Sequence, residues 1–241
     1  MLNSRAGSQF FDPVSALERR VQRDPSSPLV TYYDCGRDER VELSARSFAN
    51  WVDKTVNFFD ELEVDKGSHL ATCVFEQRPG HWVGLVWVVA AWQYGAIPAL
   101  ASALEPGKAD LLLTGPHDDR ECRCQRIQAS LTPFALPCAD LADGAVDYAD
   151  VLAQPDHHWK DRPCDLLWVD EHGAKTKTDL DMTLKSSSLQ TYLLVTPSAW
   201  EAISSLASAV ERGRVVIVTH GTDDDLNKIA LIERVDLPST H

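Results

Sequence analysis

Cys122 and Cys124 stand one residue apart and follow His117, Asp118 and Asp119, a set of residue types that raises the question of a zinc site. Structural zinc takes four ligands, usually supplied by two hooks of the C-x-x-C kind, and here the second hook is missing. The expectation is therefore a thiol-bearing loop with no metal. The other cysteines lie at 35, 73, 138 and 164. The start of the chain, MLNSRAGSQFF, lacks the basic stretch followed by an apolar one that export requires, so a cytoplasmic location and reduced thiols are expected.

Three other polar groupings invite a chemical reading. His157 and His158 follow Pro155 and Asp156, a composition typical of a solvated loop. Asp223, Asp224 and Asp225 follow Gly221 and Thr222 and open an apolar-periodic run through Leu226, Ile229 and Ala230, which predicts helix capping and complementation of the helix dipole. His81 comes after Arg78, Pro79 and Gly80, at a strand-to-helix turn where α/β proteins bind ligands, and a capping role is expected for it. Among motifs with a known mechanism, G-x-x-x-x-G-K-[ST], G-x-G-x-x-G, H-E-x-x-H and G-x-S-x-G are all absent.

The elements that must position these residues follow from periodicity. Leu29 to Tyr33 and Arg40 to Leu43 are rich in β-formers and flank Asp34, Cys35, Gly36 and Arg37, which predicts a hairpin. Ser44 caps a helix whose Phe48, Trp51, Val52, Thr55, Phe59 and Leu62 recur at helical spacing. After a turn at Val64 to Gly67, His69 to Phe75 reads as a core strand. The segment from Leu85 to Leu104 carries no charge, but Gly95 and Pro98 divide it, leaving a helix over His81 to Gln93 of roughly 20 Å, too short for a bilayer. Trp82, Trp87 and Trp92 are spaced by five, so each is turned by about 140° from the last and the three serve packing rather than a stacking platform.

Further along, strands are predicted over Ile97 to Ala101, Ala109 to Thr114 and within Ile127 to Leu136, with a short helix over Val146 to Leu152. Strands at Asp165 to Val169, Thr191 to Thr196 and Arg214 to Thr219 follow, with a helix from about Ser198 to Glu211 stopped by Gly213. Lys185 to Ser188 is the most linker-like stretch. Alternating strands and helices predict an α/β fold of mostly parallel sheets with helices on both faces. The 241 residues fit one α/β unit or two packed lobes, about 1–160 and 161–241. A net charge of -13 opposes nucleic acid and an anionic membrane surface as partners.

The order of elements and several runs resemble the AMP-binding, acyl-adenylate-forming synthetases. ELEVDKGSHL and QYGAIPAL resemble that family's turn into a strand and its "aGAvxvPl" strand, and VDYADVL resembles "lsyeeLl". RPCDLLWVDEHGAKTKTDL falls where the family carries its Thr/Ser/Gly-rich loop, and YLLVTPSAWEAISSLASAVERGRVVIVTHG resembles the segment after it. More narrowly, the HW…AW pattern and the chain length resemble a group of short uncharacterised bacterial proteins that keep only the front part of the synthetase fold. The resemblance implies the fold of the synthetases' N-terminal subdomains.

In the family the Thr/Ser/Gly-rich loop holds the ATP phosphates. Laid on this chain, its position holds Asp170, Glu171, His172, Gly173, Lys175 and Lys177, so two carboxylates replace hydroxyl and glycine positions and repel a triphosphate. The family's adenine and ribose motifs and its lid with the catalytic lysine have no counterpart in these residues. The resemblance thus implies a non-catalytic relative, with no cofactor and no catalytic residue, that acts as a binding or interaction module for an unknown protein or small molecule. An acyl-, CoA- or nucleotide-binding protein, an adenylating enzyme completed by a partner, and an unrelated enzyme using the Cys and His residues of the middle third are the alternatives. Loss of the family's covering elements predicts a homodimer.

Overall fold

The computed structural model describes residues 11–158, 166–186 and 191–237; Cys164, the first residue of the Asp165 strand and part of the Lys185 to Ser188 stretch lie outside them. In chain order the elements are α1 (Pro13–Arg23), β1 (Pro28–Asp34), β2 (Glu39–Ser44), α2 (Ala45–Glu61), β3 (His69–Thr72), α3 (Val74–Gln77), α4 (Trp82–Tyr94), β4 (Ile97–Leu100), β5 (Leu111–Thr114) and β6 (Gln125–Gln128). They continue with β7 (Val146–Asp147), β8 (Leu166–Asp170), β9 (Gly173–Thr176), α5 (Lys177–Ser186), β10 (Thr191–Val195), α6 (Ala199–Ala209), β11 (Arg214–Thr219) and α7 (Asp223–Glu233).

Two sheets form, of strand order β10-β11-β1-β2 and β7-β6-β5-β3-β4-β8-β9. Among the described residues only the two hairpins, β1 with β2 and β8 with β9, are antiparallel. Every other pair is parallel, including β1 with β11, where Val30 faces Val215, and β3 with β5, where Leu70 faces Leu111. The fold is thus α/β with mostly parallel sheets flanked by helices, as the sequence pattern predicts.

Helix α4 lies at the centre, and all thirteen of its residues are buried. Gly95 ends it in the left-handed region, φ +86, which a side chain rarely adopts. Its tryptophans point three ways, because a five-residue step does not repeat on a helix. Trp87 Nε1 donates to the Leu70 carbonyl, Trp92 Nε1 donates to the Leu167 carbonyl, and Trp82 meets Trp51 edge-on with ring centres 5.0 Å apart. Helix α2 packs against α4 through Phe48, Val52, Val56 and Phe59, and Ser44 accepts the Ser47 N–H at its N-terminus.

Three expected elements come out differently. The strand from His69 stops at Thr72, whose hydroxyl accepts the Val74 N–H at 3.1 Å, and Val74 and Phe75 coil into α3. Within Ile127 to Leu136 only the start is strand, since Leu131 and Ala135 take φ of +53 and +45. Val146 to Leu152 is a two-residue strand and then a 3-10 turn from Tyr148, held from outside: the Tyr148 hydroxyl lies 2.8 Å from that of Thr55 on α2.

The two faces of the seven-stranded sheet are unlike. Alternation along β3 and β5 sends Leu70, Leu111 and Leu113 into the main core with α2 and α4, and Ala71, Cys73 and Leu112 to the opposite side. Parallel neighbours need a crossover, usually a helix. The two crossovers on that opposite side, residues 101–110 between β4 and β5 and 115–124 between β5 and β6, contain only loops and one 3-10 turn, Ala101–Ala103. Ala71, Cys73 and Leu112 therefore pack against Ala101, Leu104, Ala109, Cys122 and Cys124, with no helix among the described residues in that cluster. No helix of the described residues is long and apolar enough to cross a membrane.

Candidate functional site

Asp170, Glu171, His172, Gly173 and Lys175 occupy the tight β8–β9 hairpin rather than an open loop, and Lys177 opens α5. Asp170 pairs with Gly173 across the turn, and Gly173 takes φ +103. The donors of this segment are turned inward. The Asp170 carboxylate accepts the His172 N–H at 2.9 Å, and the Asp179 carboxylate accepts both the N–H and the hydroxyl of Thr176 at 2.8 Å. Those two bonds hold the Asp179 carboxyl below the usual carboxylate range, since the charged form is the acceptor. Protein carboxylates thus stand where a phosphate-binding segment would present free N–H and O–H groups.

Over the helix-free sheet face lies a groove of about 960 Å³, within the size range of small-molecule sites. Ala71, Leu112, Ala101, Leu104 and Ala109 make its floor and one wall, and the segment 119–126 makes the other. Cys122 and Cys124 belong to that second wall, and the Cys122 thiol donates to the Cys124 carbonyl at 3.5 Å. Burial, then the neighbouring Cys122, pushes the Cys124 thiol up to about 11, so it is protonated at neutral pH and presents a soft, apolar wall rather than a nucleophile. Among the described residues no group of three or more His, Cys, Asp or Glu is placed to hold a metal ion.

A second cluster sits where β1 and β11 end. Asp34 is fully buried; His220 Nδ1 lies 2.9 Å from its Oδ1, and Arg78 Nε lies 3.9 Å from its Oδ2. Arg78 Nη1 donates to Glu39 on β2 and to the Leu131 carbonyl, both at 2.7 Å, so one guanidinium ties the four-stranded sheet to the loop after β6. His81 caps α4 as expected, its Nδ1 accepting the Val83 N–H at 3.3 Å, and its ring meets Tyr32 edge-on at 4.9 Å. Burial and then the Arg78 charge push the His81 pKa well down, leaving it neutral. This cluster binds the molecule together, and the groove lies elsewhere.

The remaining groupings have structural partners. His158 Nε2 lies 2.7 Å from Asp60 on α2, and His157 is exposed. Thr222, not an aspartate, caps α7, and Asp225 completes the capping box by accepting the Thr222 N–H. Neither the groove nor the Asp34–Arg78 contact is visible in the sequence as a site. The floor is assembled from separate strands, and Arg78 and Asp34 are joined only by folding. Its one sequence signal is the shortness of the segments between β4, β5 and β6, which leave no room for a helix.

No protein-family model matches the chain. A protein of Mycobacterium tuberculosis described only by a family designation is 33% identical over 146 residues, 56% of this chain and 57% of that relative. Among solved structures, acetoacetyl-CoA synthetase from Streptomyces lividans superposes on 93% of this chain with a TM-score of 0.68 at 14% identity, and the match covers 41% of that enzyme. Acyl-CoA synthetase from Brucella canis gives 0.66 at 14% identity, covering 94% of this chain and 46% of the enzyme. Fatty acyl CoA synthetase from Mycobacterium tuberculosis gives 0.60 at 14% identity, covering 93% and 48%. The match spans 41–57% of the length of each of these four proteins. Its fold is that of the N-terminal lobe of an acyl-CoA synthetase.

Proposed function

We propose that the chain is a non-catalytic binding module built on this half of the synthetase fold. One observation supports the reading above others: in the β8–β9 hairpin and the start of α5 the chain's own carboxylates, Asp170 and Asp179, accept the donors that a triphosphate would need. Displacing them exposes two negative charges to a polyanion, which is repulsive at contact distances. The test is carboxylate-dependent exchange of pyrophosphate into ATP, run with a panel of short, medium and long acids. Exchange no higher than a protein-free blank is expected. Exchange clearly above the blank, lost on Lys175→Ala, overturns the reading. The homodimer belongs to the same proposal, with Leu231 and Ile232 standing exposed on α7. Light scattering coupled to size exclusion reads it, and a one-chain mass that is unchanged on tenfold concentration removes it.

A further inference from the structure

We infer that the groove over the helix-free sheet face is a binding site for a small organic cation, an apolar body carrying an ammonium or amidinium group. The inference rests on reading the chain as a binding module and adds to it the site and the ligand class. Its first support is shape. A parallel sheet is normally covered on both faces, whereas here the small side chains of Ala71, Ala101 and Ala109 leave about 960 Å³ open above the strands. That volume lies within the size range of small-molecule sites.

Charge is the second support. Glu105, Asp119, Glu121 and Asp143 line the mouth, and among the described residues none of their carboxylates has a hydrogen bond or ion pair. One of the three arginines there is already paired with carboxylates: Arg120 is held by Glu76 at 2.7 Å and Asp118 at 2.9 Å. Arg126 donates only to the carbonyls of Asp118 and Arg120 and keeps its charge, so Arg123 and Arg126 stand against four carboxylates and the mouth remains net negative. An anionic ligand such as a fatty acid, a nucleotide or CoA meets the wrong sign, and a cation meets the right one.

The test uses three probes that share one body: 4-phenylbutylamine, 4-phenylbutanol and 4-phenylbutyrate. Calorimetry on the full chain is expected to give the amine a Kd at least tenfold below that of the butyrate, rising as salt goes from 50 to 500 mM. The amine is also expected to slow N-ethylmaleimide labelling of Cys122 and Cys124 at least threefold, read by peptide mass, while leaving Cys35 unchanged. The triple variant Glu105→Gln, Asp119→Asn, Glu121→Gln keeps the fold, since these side chains hold nothing, and should abolish the preference for the amine. Butyrate binding as tightly as the amine, or amine binding without thiol protection, overturns the proposal. So does protection that grows with protein concentration alone, which assigns the groove to a second copy. Pyrophosphate exchange plays no part in these readings, so the two proposals can fail separately.

Discussion

Replacing Arg78 by leucine tests whether one guanidinium holds the four-stranded sheet to the loops of the larger one. The side chain is 8% exposed, and its removal leaves three groups short. The Leu131 carbonyl loses a 2.7 Å donor, Glu39 loses its 2.7 Å partner, and Asp34, wholly buried, loses a positive charge at 3.9 Å. Breaking a buried pair from one side costs about 3–5 kcal/mol. The lower end applies here, because Glu39 is 19% exposed and can rehydrate, and Asp34 keeps His220 at 2.9 Å. About 3 kcal/mol corresponds to a fall in Tm of about 6–12 °C for a chain of this length. Urea unfolding followed by tryptophan fluorescence, with thermal unfolding alongside, measures both. Arg78→Lys should fall between wild type and the leucine variant, keeping the charge and losing the fork. Adding Asp34→Asn to Arg78→Leu should cost at least 0.5 kcal/mol less than the two single changes together, as expected for groups in contact. A loss under 1 kcal/mol for Arg78→Leu, at an unchanged m-value, refutes the bridging role.

Two further outcomes are expected. Burial by itself raises the Glu233 pKa, but the hydrogen bonds from Tyr33 and Arg40 and the charges of Arg40 and Arg214 outweigh it and hold the carboxyl below its usual value. Its contribution to stability is therefore complete above the unfolded value, about 4.3, and drains away as the pH falls through the lower folded value. Glu233→Gln should flatten the acid limb of a stability-against-pH curve, and an unchanged limb counts against it. Gly84→Ala should destabilise despite the better helix propensity of alanine, because the new methyl meets the ring of Phe75 at 2.8 Å and that ring is packed edge-on against Trp168. A loss of about 1–3 kcal/mol is expected for such overpacking, and a gain in urea midpoint contradicts it.

The elements that local chemistry dictates were legible. Ser44 before a helical period, Gly95 after one and Thr222 before three aspartates all mark helix ends in the structure. The hairpin around Gly36 and strands β10 and β11 likewise follow from runs of β-formers. What local pattern missed was decided at a distance. Tyr148 looks helical in its own context, yet the Thr55 hydroxyl and the stacked ring of Trp51 pin it in a tighter turn. The hairpin at Asp170 to Gly173 reads from composition as a charged loop, whereas pairing of Val169 with Ala174 folds it flat. The groove is harder still, because it consists of helices that are not there, and a sequence advertises what it encodes more readily than what it omits.

The parallel pairing of β1 with β11 has a consequence for the chain as it is made. Val30 cannot meet Val215 until nearly all of the intervening residues have left the ribosome. At 5–20 residues per second that interval is about 9–37 s. During it the β1–β2 hairpin, with Leu29, Val30 and Tyr32 destined for full burial, keeps one strand edge open. An open edge of this composition is a template for pairing with other chains. The β1–β2 hairpin is thus open to mispairing while the chain is made, and slower synthesis should lower soluble yield rather than raise it.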